Sequence, residues 1–142
     1  MSYIPVALRT QVVERAFHSC EYCLIHVDYT TLVHEIDHGI AEKHGGETTL
    51  DNLAYACAQC NRNKGSDIAS VDPETNQPQF VYNPRQQRWE VHFQLDGPLI
   101  VPRTSVGRAS VRLLQLNQVD RLLLRKELVA IGRYPYRRAT KR

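Results

Sequence analysis

A chain of 142 residues, 42% apolar and 23% charged, has room for a hydrophobic core and the balance of a soluble globular fold. No apolar run approaches the ~20 residues a membrane-spanning helix needs, and the opening MSYIPVALRTQVVERAF lacks the basic leader, apolar stretch and cleavage site of a secretory signal, so the expectation is a cytoplasmic protein without a membrane association. The net charge of +3 conceals an asymmetry: residues 1–102 hold seven Lys/Arg against thirteen Asp/Glu and 103–142 hold eleven against two, which points either to a polyanionic partner or to a solvated helix face with a basic tail.

The pattern predicts a first helix from Pro5 to Phe17, with proline in the first turn and Val6, Leu8, Val12, Val13, Ala16 and Phe17 as its apolar stripe. Cys20-Glu21-Tyr22-Cys23 reads as a tight knuckle. Thr30 to Ile36, short and rich in β-branched residues, predicts a strand. His44-Gly45-Gly46 and Thr48-Thr49 form a loop, Leu50 to Leu53 a helical turn, and Ala54-Tyr55-Ala56 a second strand. Cys57 to Cys60 is a second knuckle, followed by a short helix from Asn61 to Ser66 closed by Gly65.

Ala69 to Pro78 is turn-rich and reads as an exposed excursion. Phe80-Val81-Tyr82 is a short strand stopped by Asn83-Pro84. Arg88 to Leu95 alternates, with Trp89, Val91, Phe93 and Leu95 on one face, and Asp96-Gly97 signals a hairpin that returns through Leu99-Ile100-Val101. Beyond Pro102 the period becomes helical, from Arg108 to Leu116 and from Val119 to Ile131, with Asn117 as a cap or turn between them. The organisation expected is one domain over 1–142: a core at 18–68, a hairpin region at 79–102, basic helices at 103–133 and a basic tail at 134–142. The leucine runs at 113, 114 and 116 and at 122–124 suit a core, with a dimer interface as the alternative, so oligomeric state stays open.

All four cysteines fall in two C-x-x-C pairs, Cys20/Cys23 and Cys57/Cys60. In a reducing compartment such pairs favour metal over disulfides, and two knuckles complete a closed, tetrahedral, structural Zn²⁺ site. The spacer of 33 residues is longer than a zinc-ribbon loop and encloses the acidic and histidine residues, so zinc would fix the ends of a loop that carries reactive groups. Unliganded buried cysteines or a redox pair are the alternatives.

Inside that spacer, His34-Glu35-Ile36-Asp37-His38 admits two readings. A zinc protease places two histidines one turn apart on a helix with the glutamate as base. The flanking Thr30, Thr31, Val33 and Ile36 oppose a helix, Gly39 ends it at once, and no third ligand stands at a fitting distance. In a strand the side chains alternate, so Asp37 and His38 face opposite ways and take neighbouring roles: a carboxylate for a metal and an imidazole to deprotonate water.

C-x-x-C, then E-I-D-H-G-I, H-G-G-x-x-x-L-D-N-L and C-x-x-C-N-x-x-K-G, in this order over about Cys20 to Ser66, resembles the HNH endonucleases, the ββα-metal nucleases. N-P-R-x-Q-x-W-x-x-H-F (Asn83 to Phe93) and G-R-A-S-V-R-L-L-Q-L-N (Gly107 to Asn117) look like the tail of stand-alone bacterial members. The resemblance implies an α+β fold: a ββα-metal core clipped by the four-cysteine zinc, an N-terminal helix, a later β-hairpin and C-terminal helices. It implies His38 as general base, Asn52 orienting the loop and the base, and Asp37 with Asn61 holding a catalytic Mg²⁺ or Mn²⁺, oxygen ligands suiting either ion. Gly39-Ile40-Ala41 departs from relatives that carry an Ile pair followed by Pro. The implied activity is hydrolysis of phosphodiester bonds, of DNA in first place, leaving 5′-phosphate and 3′-hydroxyl ends.

Lys64, Arg108 and Arg112 are candidate nucleic-acid contacts, with Arg103, Arg121, Arg125 and Lys126 beside them and Arg137, Arg138, Lys141 and Arg142 as a flexible arm. His34, His44 and His92 read as structural histidines, or, for the first two, as neighbours of the substrate or metal. The rival functions are a non-catalytic zinc-knuckle module that binds nucleic acid on the same scaffold and, on the five letters alone, the zinc protease.

Overall fold

The computed structural model describes residues 3–136. Helix α1 (Val6–Arg15) starts after Pro5 and buries Val12. Strands β1 (Glu35–His38) and β2 (Leu53–Ala56) pair antiparallel, with Glu35 opposite Ala56 and His38 opposite Leu53, and α2 (Ala58–Lys64) follows β2 after a single residue. A second hairpin joins β3 (Ala69–Val71) and β4 (Pro78–Phe80). One helical turn, α3 (Trp89–His92), leads into a third hairpin of β5 (Phe93–Asp96) and β6 (Leu99–Pro102), and α4 (Ser105–Leu114) and α5 (Val119–Ala130) close the chain. The mixed α and β composition in small two-stranded sheets is the α+β class expected.

Three expectations differ. The first strand begins at Glu35, not Thr30: Val27–Tyr29 is a 3-10 turn, and the Thr30 hydroxyl donates to the Val27 carbonyl at 3.1 Å and to the Leu32 carbonyl at 2.7 Å, bending the chain that β-branching would otherwise extend. The excursion at 69–78 is itself a hairpin. Its Asp72 is buried, accepts from the Thr75 hydroxyl at 3.0 Å and takes the Arg108 guanidinium in two bonds of 2.9 and 2.8 Å. Finally, 88–95 is a helical turn and then a strand. Val91 is exposed, and Trp89 reaches inward to donate from Nε1 to the Tyr22 carbonyl at 2.9 Å.

The predicted turn at Asp96-Gly97 is present. Asp96 pairs with Leu99 across a two-residue loop in which Gly97 has φ +57° and Pro98 is confined to negative φ, the pattern of a type II′ hairpin. The main core gathers Tyr22, Leu24, Ile25, Phe93, Ile100, Leu114, Leu116 and Leu128 around the four cysteines, so 93–128 packs onto the cysteine knuckles. A smaller core of Val12, Ala16, Leu53 and Tyr55 seats α1 against β2.

Asn117 does more than cap. Its amide donates to the Ile100 carbonyl at 2.8 Å and accepts from the Ile100 amide at 3.0 Å, pairing like an extra strand residue beside β6. Arg125 Nη2 adds a bond to the same Oδ1 at 3.1 Å. We expect Asn117→Ala to lower unfolding free energy by about 2 kcal/mol, since it strands two backbone groups of Ile100 and removes one acceptor of the buried Arg125; urea denaturation of both proteins measures the difference.

Candidate active site and metal centre

The four sulfurs come together because both knuckles turn their backbone amides onto them. The amides of Tyr22 and Cys23 point at Cys20 Sγ and that of Cys60 at Cys57 Sγ, each at 3.4 Å. Leu24 takes φ +68° to complete the first turn. Cys57 is the N-terminal cap of α2, and Cys60 lies inside the helix, so the second knuckle and the predicted short helix are one element. All four Sγ atoms lie within 4.8 Å of one another, and those of Cys23 and Cys57 are 3.7 Å apart. Bonds of ~2.3 Å at tetrahedral angles require about 3.8 Å between sulfurs. The donor set therefore fits zinc.

The electrostatics fit as well. Burial pushes the Cys20 and Cys60 thiols well above the usual thiol range, which disfavours thiolates unless cations stand beside them. One cation is built in. Arg121 is 6% exposed and points Nη2 at Cys60 Sγ, 2.9 Å, and at Cys57 Sγ, 3.6 Å, while Nη1 donates to the Leu114 and Gln115 carbonyls. Zn²⁺ with four thiolates carries a net −2, and Arg121 offsets half of it. Arg121 and its neighbour Arg125, 1% exposed and bonded to the Pro98 and Leu116 carbonyls, thus face inward and not toward a phosphate backbone. Both stand among the expected nucleic-acid contacts; their one-turn spacing with Leu128 is the signal that they belong to the buried stripe of α5.

The first knuckle also registers on the hairpin. Glu21 donates its amide to the Tyr55 carbonyl, its carboxylate accepts from the Tyr55 amide, each at 2.8 Å, and it pairs with Arg85. The four-cysteine cluster at one end of β2 and the Asn52 loop at the other flank the pairing of β1 with β2.

His38 stands at the neck of the loop between β1 and β2. Asn52 closes that loop with its side chain: Oδ1 accepts from the Ile40 amide, and Nδ2 donates to the carbonyls of Ile40 and Glu47, all at 2.9 Å. The Asn52 carbonyl accepts from the Gly39 amide at 2.7 Å. Gly46 is required here because a Cβ would sit 1.6 Å from the Ile40 carbonyl oxygen. The His38 ring shares a hydrogen bond between Nε2 and Thr48 Oγ1 at 3.0 Å, and its Nδ1 has no partner among the described residues.

The opposite face of β1 meets α2. Asp37, 5% exposed, accepts from the Tyr22 hydroxyl at 2.6 Å and pairs with Lys64 Nζ at 3.3 Å; Lys64, 2% exposed, also donates to the His38 carbonyl at 3.0 Å. Burial pushes the Asp37 carboxyl up, and Lys64 and Tyr22 pull it back. Asn61, one turn before Lys64, donates Nδ2 to the Glu35 carboxylate. Asp37 and Asn61 thus share the β1–α2 face, Asp37 through its contact with Lys64 and Asn61 through its contact with Glu35.

The predicted contacts sort unevenly. Lys64 is enclosed and holds Asp37 instead of reaching solvent, and Arg108 is committed to Asp72, whose carboxyl it holds far below the usual range. Arg112 is exposed on α4, as is Arg62 on α2, helices joined by Asn63 Nδ2 donating to the Leu114 carbonyl at 2.9 Å. Arg103 and Lys126 are exposed too, whereas Arg137, Arg138, Lys141 and Arg142 lie outside the described residues. Sequence reasoning missed Tyr22, Thr48 and Glu35. Only Glu35, two residues before Asp37 on a strand, carried a signal.

The protease arrangement is not formed. Glu35 to His38 is a strand, and His34 is buried with Nε2 at 2.9 Å from the Ile25 carbonyl and Nδ1 unpartnered. A carbonyl only accepts, so Nε2 carries the proton and the neutral tautomer fits; a second proton on Nδ1 would find no acceptor. His44 is exposed on a 3-10 turn (Glu42–His44), and His92 is bonded to Thr104 Oγ1 at 2.7 Å.

Two outcomes follow for this region. Metal analysis of purified protein should find one zinc per chain, lost with the fold in Cys57→Ser; Arg121→Met should keep the ion but weaken it roughly 10- to 100-fold in chelator competition. Burial holds His26, His34 and His92 below the ordinary histidine value. The unfolded chain then binds more protons than the folded one, so their contribution is complete above about pH 6.5 and is lost as pH falls toward the lowered folded values. Urea midpoints at pH 7.5 and 5.5 should show that loss, and His34→Gln should reduce it.

No helix among the described residues is long and apolar enough to cross a membrane. Residues 20–67 match the family model described as HNH endonuclease. The chain is 25% identical over 129 residues to a Septu protein PtuB from Bacillus thuringiensis; the match covers 89% of this chain and 46% of the relative, so the chain spans about half the length of the curated protein it matches. No solved structure matches. Both cysteine pairs, Asp37-His38, the Asn52 loop and Asn61 all fall within the matched stretch, and residues 20–67 are an HNH endonuclease domain.

Proposed function

We propose that the protein is a metal-dependent endonuclease that hydrolyses DNA phosphodiester bonds, with His38 as general base. The observation that carries the reading is the Asn52 clasp: one side chain ties Ile40, Glu47 and itself into a loop whose neck is His38, directly beside Asp37. A general base must be held within reach of the water it deprotonates, and its other ring nitrogen must be committed elsewhere. In the tautomer whose Nε2 donates to Thr48, Nδ1 is the atom left to take the proton. Lys64 holds both Asp37 and the His38 carbonyl, fixing the two neighbouring residues relative to α2.

Asp37 and Asn61 would hold Mg²⁺ or Mn²⁺, which when bound would supply charge stabilisation to the phosphoryl oxygens and the leaving 3′-oxygen. The four-cysteine zinc is closed and takes no part in the chemistry. Exposed Arg62 and Arg112 on adjoining helices, with Lys126 beyond, are the groups available to neutralise phosphates. The products are 5′-phosphate and 3′-hydroxyl ends.

The test is nicking of supercoiled plasmid in Mg²⁺ or Mn²⁺. Wild type should cleave, and His38→Ala should be slower by ~10²–10⁴-fold while keeping its zinc and its DNA affinity. DNA binding without turnover in any divalent metal would instead identify a non-catalytic zinc-knuckle module.

A further inference from the structure

Glu35 has no role in the chemistry above, yet its carboxylate is the partner of Asn61 Nδ2. It makes no other hydrogen bond or ion pair among the described residues and stands on an exposed strand position, so nothing else in the fold accounts for it. Resting on the reading of Asp37 and Asn61 as ligands of the catalytic ion, we propose that Glu35 is a positioning residue that sets which end of the Asn61 amide faces that ion.

Alternation along β1 puts Glu35 and Asp37 on one face, and residues three apart on α2 lie on one face of that helix. Two contacts join the faces, Asn61 to Glu35 and Lys64 to Asp37. An asparagine amide is two-ended. Its terminal torsion is broad and roughly two-fold, and its oxygen and nitrogen ends are nearly the same size. Only the oxygen can ligate a hard cation. An ionised carboxylate only accepts, so Glu35 admits the nitrogen end and repels the oxygen end. Oδ1 is thereby turned away from Glu35, and it has no hydrogen-bond partner among the described residues. Without Glu35 both orientations become accessible, and the flipped one presents two N–H groups to the cation. Because Glu35 is exposed, its charge is screened by water, and orientation is the larger effect.

The test measures Mn²⁺ affinity by titrating free Mn²⁺ with electron paramagnetic resonance, using zinc-loaded protein, with zinc content and thermal unfolding as controls of the fold. Glu35→Leu should weaken Mn²⁺ by roughly tenfold or more, the range for loss of a partner that orients a ligand. Glu35→Gln, which keeps an acceptor oxygen, should stay much closer to wild type. In an Asn61→Asp background, where either ligand oxygen serves, Glu35→Leu should cost nothing. The proposal is overturned if Glu35→Leu binds Mn²⁺ as wild type does, if Glu35→Gln falls as far as Glu35→Leu, or if the loss is equal in the Asn61→Asp background. A different control separates the underlying reading: if Asn61→Ala leaves Mn²⁺ affinity unchanged, the ligand assignment itself fails and this inference with it.

Discussion

Four buried sulfurs within 4.8 Å of one another are the constraint from which the rest of the domain follows. Burial pushes the Cys20 and Cys60 thiols up, while hydrogen bonds from the other cysteines and the Arg121 charge bring Cys23 down, and the arrangement is favourable only when a cation, together with Arg121, meets the charge. Once met, the geometry is demanding. Cys20 and Cys23 belong to a turn whose Glu21 is hydrogen-bonded to Tyr55 in β2, and Cys57 and Cys60 belong to the first turn of α2. Fixing the sulfurs therefore fixes β2 and α2 together. β1, paired to one and packed under the other, has a single place to go.

That placement divides the metal chemistry into two environments. Sulfur donors sit in the core, closed by apolar residues and by α5. Oxygen donors sit on the β1–α2 face, where Asp37 is held by a lysine and a tyrosine and Asn61 by a glutamate. Soft thiolates select zinc and hard oxygens select Mg²⁺ or Mn²⁺, so on the proposed reading of Asp37 and Asn61 the two kinds of ion would not exchange sites. The separation also explains why a surface-seeking residue such as Lys64 is buried. Asp37 at 5% exposure needs a counter-charge, and the last turn of α2 is where one can be supplied.

The residues of the candidate site were easier to single out than the scaffold: the cysteine pairs stand out by their spacing, and Asp37-His38, Asn52 and Asn61 by the resemblance to HNH endonucleases. Arg121, Arg125 and Arg108 misled because charge composition does not record burial; their guanidiniums found the Cys60 sulfur, the Pro98 carbonyl and Asp72, each far away in sequence. The shift of the first strand to Glu35 has the same origin. β-branched Thr30 and Thr31 suggest extension, but the Thr30 hydroxyl bonds two nearby carbonyls and bends the chain. Trp89 and Val91 shared a period-two pattern with Phe93 and Leu95, yet a helical turn at Trp89–His92 was needed to deliver the Trp89 ring to the first knuckle.

The segment after the HNH domain is best understood as its missing structure. A stretch of 48 residues built from two four-residue strands and a seven-residue helix buries too little apolar surface to be stable on zinc and a hairpin alone. The later chain supplies what is lacking. Phe93, Ile100, Leu114, Leu116 and Leu128 fill the core around the sulfurs, and the Tyr134 hydroxyl donates to the Cys23 carbonyl at 2.7 Å. Arg85 donates to the Leu53 carbonyl at 2.8 Å, where Arg15 of α1 also donates at 2.7 Å, so one guanidinium from before residues 20–67 and one from after them meet on the residue after Asn52. The loop that carries His38 at its neck is thus braced at its C-terminal end from outside residues 20–67. The segments Asn83 to Phe93 and Gly107 to Asn117 take part in that bracing through Arg85, Phe93, Leu114 and Leu116; without them the position of His38 would be set by a two-stranded hairpin that is marginal on its own.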